Sequence, residues 1–338
     1  MINLIERFNK FVFALFNPDF YKKIPSKTFA IIVGIFLAVF LITVAGLGIR
    51  KTLIKMQLTK THNALVAYVK DVREIDEIVS DIESIESNMT ASSSMHQFDE
   101  NIKEYEVEYK DLQKSHAALQ KESVKAPSKD TEKYYATIRD FDKKVYEEYT
   151  EGGKMLRSTH KMMKIAEVAR KQNFDDVTFS DVNSKEDLIG KFDDMKKKFE
   201  ALHASIPLIK GDEYFDVFYG PLNTSIEKLI ADFEKIKTAI QNEDVALLEQ
   251  VEEDYKKNII DFDSIDTYKI EKAVKQSKKR TDEINVIVPK LNEQDKAILK
   301  KYDIMTEDQL PYFIKQKMFR NMDSFKDNKI LDLPVNKL

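Results

Sequence analysis

One stretch of the chain carries no charge, and the remainder alternates apolar and polar positions at helical spacing. The uncharged stretch covers 21 residues, from Phe29 to Ile49, and Arg50–Lys51 follows it directly. A helix of that length rises by about 30 Å, the thickness of the hydrocarbon core of a bilayer. The sequence therefore predicts a transmembrane helix over residues 28–50. The predicted membrane-anchor residues are Phe29, Ile35, Phe36, Phe40 and Ile49.

After this stretch, apolar residues recur three and four positions apart, the a/d pattern of a coiled coil or a long bundle helix. The first such seam comprises Leu65, Tyr68, Val72, Ile75, Val79 and Ile82. Comparable seams follow within 95–119, 134–163, 188–206, 226–240, 248–262 and 270–291. No stretch alternates with the period of two that is typical of half-buried strands. The sequence predicts an all-α fold: a single N-terminal transmembrane helix, then long antiparallel helices forming an elongated helical bundle, with two sub-bundles as an open option.

Breaks in this pattern divide the chain into segments. Residues 173–183 are acidic and lack periodicity, so we interpret them as a linker. The predicted segments are a short cytoplasmic, interfacial amphipathic segment at 1–27, the transmembrane helix at 28–50, a long-helix coiled-coil-like bundle at 51–172, the linker at 173–183, a second helical bundle at 184–325 and a polar tail at 326–338.

Three local signals refine the predicted helices. Gly152–Gly153 indicates a kink within a long helix. Ser184, with Asp187 three residues later, approximates a capping box at the start of a helix. Asn242 is predicted to cap the helix that follows it.

The distribution of charge bears on location and partners. Residues 1–27 hold five basic and two acidic side chains, a net charge of +3. From Lys51 onward there are 48 basic and 56 acidic residues, a net charge of −8, which disfavours nucleic acid as a partner. Basic residues are balanced at the two ends of the span, but the amino terminus and the acidic domain favour the N-terminus inside. We therefore predict a single-pass plasma-membrane protein with its C-terminal domain outside.

Candidate chemistry is sparse. The chain has no cysteine, which excludes disulfides, thiolate metal sites and cysteine nucleophiles. Glu200 and His203 form half of a di-iron motif, and no second half exists in the sequence. His116 lies on a seam, where a histidine hydrogen-bonded in the core is the alternative to a pH switch. We expect no catalytic residue, no cofactor and no metal, and hence no enzyme.

An aromatic-rich element lies between two breakers, Gly211 and Pro221. Its sequence, GDEYFDVFYGP, carries four aromatic residues in six positions. Two interpretations stand: a contact surface for a partner, or a plug that packs on the end of the bundle. The candidate partner-contact residues are Tyr214, Phe215, Phe218 and Tyr219.

These features favour a non-enzymatic protein that exposes a helical domain as a scaffold, binding or assembly module of the cell envelope. The alternatives are a sensor or receptor ectodomain acting through a partner membrane protein, or a cytoplasmic membrane tether if the topology is reversed. The expected partners are the lipid bilayer and other membrane or envelope proteins. A homo-oligomer is a further option, because the seam through Val72 and Ile75 could pair with a copy of itself.

Overall fold

The computed structural model describes residues 26–86, 92–174, 177, 182–258 and 265–306. Within these ranges the side chains of 26–45, 47, 83–86, 92–94 and 255–258 are not described. Every regular element in the described ranges is helical, so the prediction of an all-α helical bundle is confirmed.

The helices are numbered here in chain order. The α-helices are α1 Ser26–Glu86, α2 Ser92–Ser123, α3 Glu132–Lys171, α4 Lys185–His203, α5 Asp216–Asn242, α6 Val245–Asn258 and α7 Tyr268–Lys301. Two 3₁₀ helices, Lys129–Thr131 and Ile206–Ile209, precede α3 and α5. By its contacts the chain divides into two units, Met1–Lys60 and Thr61–Leu338.

The described part of the second unit packs around α3. This helix contacts α2 and α7, and it also contacts α4 and the second 3₁₀ helix. Helix α5 packs on α4 and on α6. Pairs of long helices therefore bury the apolar stripes that their sequences predict.

The predicted seams form the core. All six residues of the first seam are buried, and Val72 and Ile75 have no exposed surface. In the single chain, these two residues therefore offer no exposed surface to a second copy of the protein. The seam of α3 is buried in the same way, at Tyr134, Ile138, Phe141, Val145 and Tyr149.

A second hydrophobic cluster lies farther along α3. It joins the C-terminal half of α3 to α4, the second 3₁₀ helix, α5 and the start of α7. Its largest fully buried side chains are Phe199 and Phe215. One long helix thus supplies apolar residues to two sets of neighbours.

Gly152–Gly153 does not interrupt α3, which runs without a break from Glu132 to Lys171. Both glycines are buried. The kink stays a prediction, since a continuous helix can also bend. At Gly153 the reason for glycine is space, because a Cβ there would lie 2.7 Å from the hydroxyl oxygen of Tyr105.

The membrane-spanning part of the fold prediction has no support in the described residues. Their helices include none that is both apolar and long enough to cross a membrane. The backbone of residues 29–49 is helical as part of α1, but of the five predicted anchor residues only Ile49 has a described side chain. The anchor therefore stays a prediction, and Phe29, Ile35, Phe36 and Phe40 lie outside the described side chains.

The predicted segment boundaries also stay predictions. The interfacial segment lies outside the described residues except for Ser26 and Lys27, and the polar tail lies outside them altogether. Most of the predicted linker at 173–183 is likewise not described. Helix α7, from the second predicted bundle, nevertheless packs along α3, from the first.

Candidate functional site

The aromatic element Gly211–Pro221 forms the turn before α5 and the first turns of that helix. Gly211 has φ +70°, a left-handed conformation that glycine adopts without strain. Tyr214, Phe215 and Phe218 are 5%, 1% and 4% exposed, and all three belong to the second hydrophobic cluster. Tyr219 is half-buried, with the Lys210 ammonium 5.4 Å from the centre of its ring.

Asp212 holds this turn in place. Its Oδ1 accepts hydrogen bonds from the backbone N–H groups of Tyr214 and Phe215, at 3.1 and 3.2 Å. Its Oδ2 lies 2.6 Å from the Nζ of Lys161, on α3. Burial would raise the pKa of the Asp212 carboxyl, but the hydrogen bonds from Lys161, Ser158 and the two backbone N–H groups outweigh it and lower that pKa. Asp212 thus fixes the start of α5 against α3.

Tyr214 lies where the aromatic element meets α3 and α7. Its hydroxyl donates to Oε2 of Glu151 at 3.3 Å, and burial raises the pKa of the phenol. The neighbouring cavity, which Tyr214 and Glu151 line, measures about 20 Å³. That is room for about one water molecule. The geometry here suits a closed packing contact rather than a ligand site.

A buried carboxylate connects α3 to α7 beside this contact. Glu148 has no exposed surface and accepts hydrogen bonds from the hydroxyl of Ser277 and, at 2.6 Å, from Nε of Arg280. Burial raises the pKa of Glu148 despite these two partners. Because both carboxylate oxygens are engaged, the group serves to align the two helices.

The partner-contact prediction for the aromatic element is not tested by a structure of the single chain. The burial of Tyr214, Phe215 and Phe218 favours the packing interpretation that was its alternative. Of the four side chains, Tyr219 is the one with appreciable exposed surface.

The half motif on α4 is engaged in other contacts. His203 Nε2 lies 3.0 Å from Oδ1 of Asn223 and 3.4 Å from Oε1 of Glu227, while Glu200 pairs with Lys196. The described residues contain no group of three or more His, Asp or Glu that could hold a metal ion.

His116 contacts two residues of α3. Its Nδ1 lies 2.7 Å from Oδ1 of Asp142, and its ring stacks on Tyr146 with centroids 3.7 Å apart. This is the core-histidine alternative that the seam position allowed.

A buried polar cluster that the sequence did not reveal joins α1, α3 and α7. Asp295, 3% exposed, faces the Nδ1 of His62 at 3.0 Å and accepts a hydrogen bond of 2.5 Å from the hydroxyl of Tyr134. Thr306 Oγ1 lies 3.4 Å from the other ring nitrogen of His62. Asp295 and His62 are both buried, and they connect the three helices through these contacts, which suits a structural role.

A larger cavity, about 340 Å³, opens between α4, α5 and α6. Its apolar wall consists of Phe192, Leu229, Phe233, Ile236, Leu248 and Val251. Two acids, Asp232 and Glu252, complete the lining. The sequence signal for Asp232 is its position three residues after Leu229 and four before Ile236, which places an acid on the buried face of α5.

Comparisons with protein-family models, with curated proteins and with solved structures find no match to this chain. The class that the described residues define is therefore a structural one, an all-helical bundle.

Proposed function

We propose that this chain is a membrane-anchored, non-enzymatic helical-bundle protein that exposes an extracytoplasmic domain as a scaffold, binding or assembly module of the cell envelope. The observation that carries the proposal is the uncharged run from Phe29 to Ile49, which lies within the helical backbone of α1. A run of that length and composition is typical of a transmembrane helix.

The first part of α1 whose side chains are described adds support. Ile49, Leu53 and Met56 are 62%, 54% and 50% exposed and lie four and three positions apart, on one face of the helix. Arg50 and Lys51, both exposed, lie beside them. Apolar side chains next to cationic ones suit the boundary between acyl chains and headgroups, where the charged ends of long side chains reach water.

The bundle itself supports a binding or scaffold role. Its helices of 32, 40 and 34 residues, α2, α3 and α7, are packed through buried polar contacts as well as apolar seams. Long, fixed helices present extended faces to partners. The proposed partners are the bilayer, other membrane or envelope proteins, and copies of the same chain.

Membrane anchoring is testable by alkaline carbonate extraction of membranes from cells that produce the full-length chain. We expect the wild type to stay in the membrane pellet. The pair Ile35→Asp and Phe40→Asp should release it, since each acid near the centre of a span costs about 3 kcal/mol.

The matched control places the same two acids at Val286 and Met305, which are 75% and 91% exposed. This control should remain in the pellet. Extraction of the wild type, or equal retention of both variants, would count against the anchor.

Orientation follows from protease treatment of intact cells that carry a C-terminal epitope tag. Digestion from outside supports the extracytoplasmic module. Protection until the inner membrane is opened, while a periplasmic marker is digested, would replace it with a cytoplasmic tether.

A further inference from the structure

The first half of α7 carries a basic face on a domain that is acidic as a whole. Between Tyr268 and Lys279 there are five lysines and one acid, Glu271, a net charge of +4. All five lysines are exposed, and four of them have no ion pair among the described residues. The fifth, Lys279, lies 3.9 Å from Glu283. The basic face comprises Lys269, Lys272, Lys275, Lys278 and Lys279.

An acidic face spans α1 and α2, with Glu108 at its centre. Burial and the charges of four nearby carboxylates raise the pKa of Glu108. Two of these four, Glu74 and Asp111, each pair with an exposed lysine of their own helix. The other two and Glu108 itself have no ion pair in the part of the chain that the structure describes. The acidic face comprises Asp71, Glu74, Glu104, Glu108 and Asp111.

The charges of the two faces have matching spacings. Three acids of α2 lie four and then three positions apart, and three lysines of α7 lie three and then four positions apart. They are Glu104, Glu108 and Asp111 on α2, and Lys272, Lys275 and Lys279 on α7. Each set occupies one side of its helix over about 10 Å. Antiparallel placement of the two helices would therefore set each acid opposite a lysine.

The two faces do not neutralise each other within one chain. Both α2 and α7 pack on α3, and no ion pair joins the two faces among the described residues. Each face also has an exposed apolar side chain, Tyr268 at 63% and Val107 at 55%. The Lys272 ammonium lies 5.9 Å from the centre of the Tyr268 ring. Apolar surface set among charged groups is typical of protein interfaces.

From this complementarity we propose that copies of the chain bind one another, the basic face on α7 of one copy against the acidic face on α1 and α2 of the next. The contact joins two different surfaces, so every copy keeps one free face of each kind and the contact can repeat into a ring or an open filament. The proposal rests on the assembly role proposed above and names its partner, a second copy. It does not need the membrane anchor.

Sedimentation velocity of the full-length protein in a non-ionic detergent tests the contact. At about 100 mM salt the screening length is about 10 Å, so charges that face each other interact while distant ones do not. We expect the wild type to form dimers and larger species at concentrations up to about 0.1 mM, because exposed ion pairs each contribute little. At about 1 M salt the screening length falls to about 3 Å, and the protein should sediment as a monomer.

Two double variants locate the contact. Lys272→Glu with Lys275→Glu reverses the centre of the basic face, and Glu104→Lys with Glu108→Lys reverses the centre of the acidic face. Each should weaken self-association by about tenfold or more, because attractive pairs become repulsive.

An equimolar mixture of the two variants provides the decisive result, since each keeps one wild-type face. The mixture should form one-to-one complexes at concentrations where either variant alone is a monomer. The matched control, Lys129→Glu with Lys133→Glu, makes the same change of net charge at two exposed positions outside both faces. It should associate as the wild type does.

Three results would overturn the proposal. The first is a wild type that stays monomeric at about 100 mM salt, and the second is association that persists unchanged at about 1 M salt. Both are measured on the wild type and are independent of any variant's folding. The third is self-association of either double variant at wild-type strength. Carbonate extraction tests the anchor separately, so the two proposals can fail independently.

Discussion

Gly153 lies where the ring of Tyr105 meets the backbone of α3. The Tyr105 hydroxyl donates to the carbonyl of Tyr149 at 2.7 Å, and its ring stacks with Tyr109 at 6.0 Å between centroids. A Cβ at position 153 would lie 2.7 Å from that hydroxyl and 3.0 Å from Cε1 of the same ring. The ring is fully buried and its hydroxyl is held by this hydrogen bond. A shift of the ring away from position 153 would therefore disturb both the core packing and the hydrogen bond.

Gly153→Ala should therefore destabilise the protein by about 1–2 kcal/mol, since overpacking outweighs the gain in helix propensity. Urea denaturation of the full-length chain measures the change. Gly190→Ala is the matched control, because position 190 is an exposed helical site with nothing within 4 Å of a new Cβ. The control should gain up to about 1 kcal/mol.

A double-mutant cycle isolates the contact. In a Tyr105→Phe background the hydroxyl is absent, so Gly153→Ala should cost less than it does alone. If the alanine cost the same in both backgrounds, the hydroxyl of Tyr105 would not be the reason for glycine, because phenylalanine keeps the ring carbon that lies 3.0 Å from the new Cβ.

The same region shows what sequence can and cannot give for single residues. Apolar spacing correctly predicted that Tyr105 and Tyr149 face the core. It could not predict that His62 faces Asp295, because the two are 233 positions apart and neither belongs to a motif. Buried acids such as Asp232 interrupt a pattern that is defined by apolar residues alone, and only the partner helices show what each acid contacts.

The helix ends show which capping residues can be predicted from the sequence and which depend on how the chain bends. Ser184 caps α4 as predicted, with its side chain accepting from the backbone N–H of Asp187 at 3.0 Å. The predicted cap at Asn242 is wrong, because α5 includes that residue. Asp244 caps α6 instead, accepting from the N–H of Leu247 at 3.1 Å. Asn242 and Asp244 both have short polar side chains that can cap a helix. The bend of the chain between α5 and α6 decides which of the two does so.

That bend places Glu243 in an unfavourable conformation. The residue has φ 59°, in the left-handed region. Around it the N–H groups of Glu243 and Asp244 donate to the carbonyls of Ile240 and Ala239, the arrangement in which glycine usually follows a helix. A side chain in this region costs about 1–2 kcal/mol, part of which glycine would return as backbone entropy.

We expect Glu243→Gly to be more stable than Glu243→Ala by about 1 kcal/mol, measured by thermal unfolding. Alanine is the proper reference, because both changes remove the 3.3 Å ion pair with Lys185 and only glycine relieves the backbone. That ion pair contributes little, since Glu243 is 85% exposed. Equal stability of the two variants would mean that the left-handed residue carries no strain.

For the molecule as a whole, α3 and α7 each contact both groups of helices that the sequence assigned to separate bundles. Helix α3 supplies Phe141 to a contact with Tyr68 of α1 and supplies Ile165 to the cluster with α4 and α5. Helix α7 supplies Ile270 to that cluster and Asp295 to the polar group on His62. Spacing along the chain predicted these faces correctly but could not show that two helices are shared.

Sharing two helices has a consequence for unfolding, since neither group can lose its packing without exposing part of α3 and α7. We expect hydrogen exchange, read by mass spectrometry in rising urea, to give one opening free energy for peptides of α2 and α5. Phe141→Ala and Phe199→Ala both remove a fully buried ring. Each should lower the opening free energy of both helices by about 3–5 kcal/mol. Val286→Ala, at a site that is 75% exposed, should change neither. Independent bundles would behave differently, with Phe199→Ala affecting α5 while α2 keeps its protection.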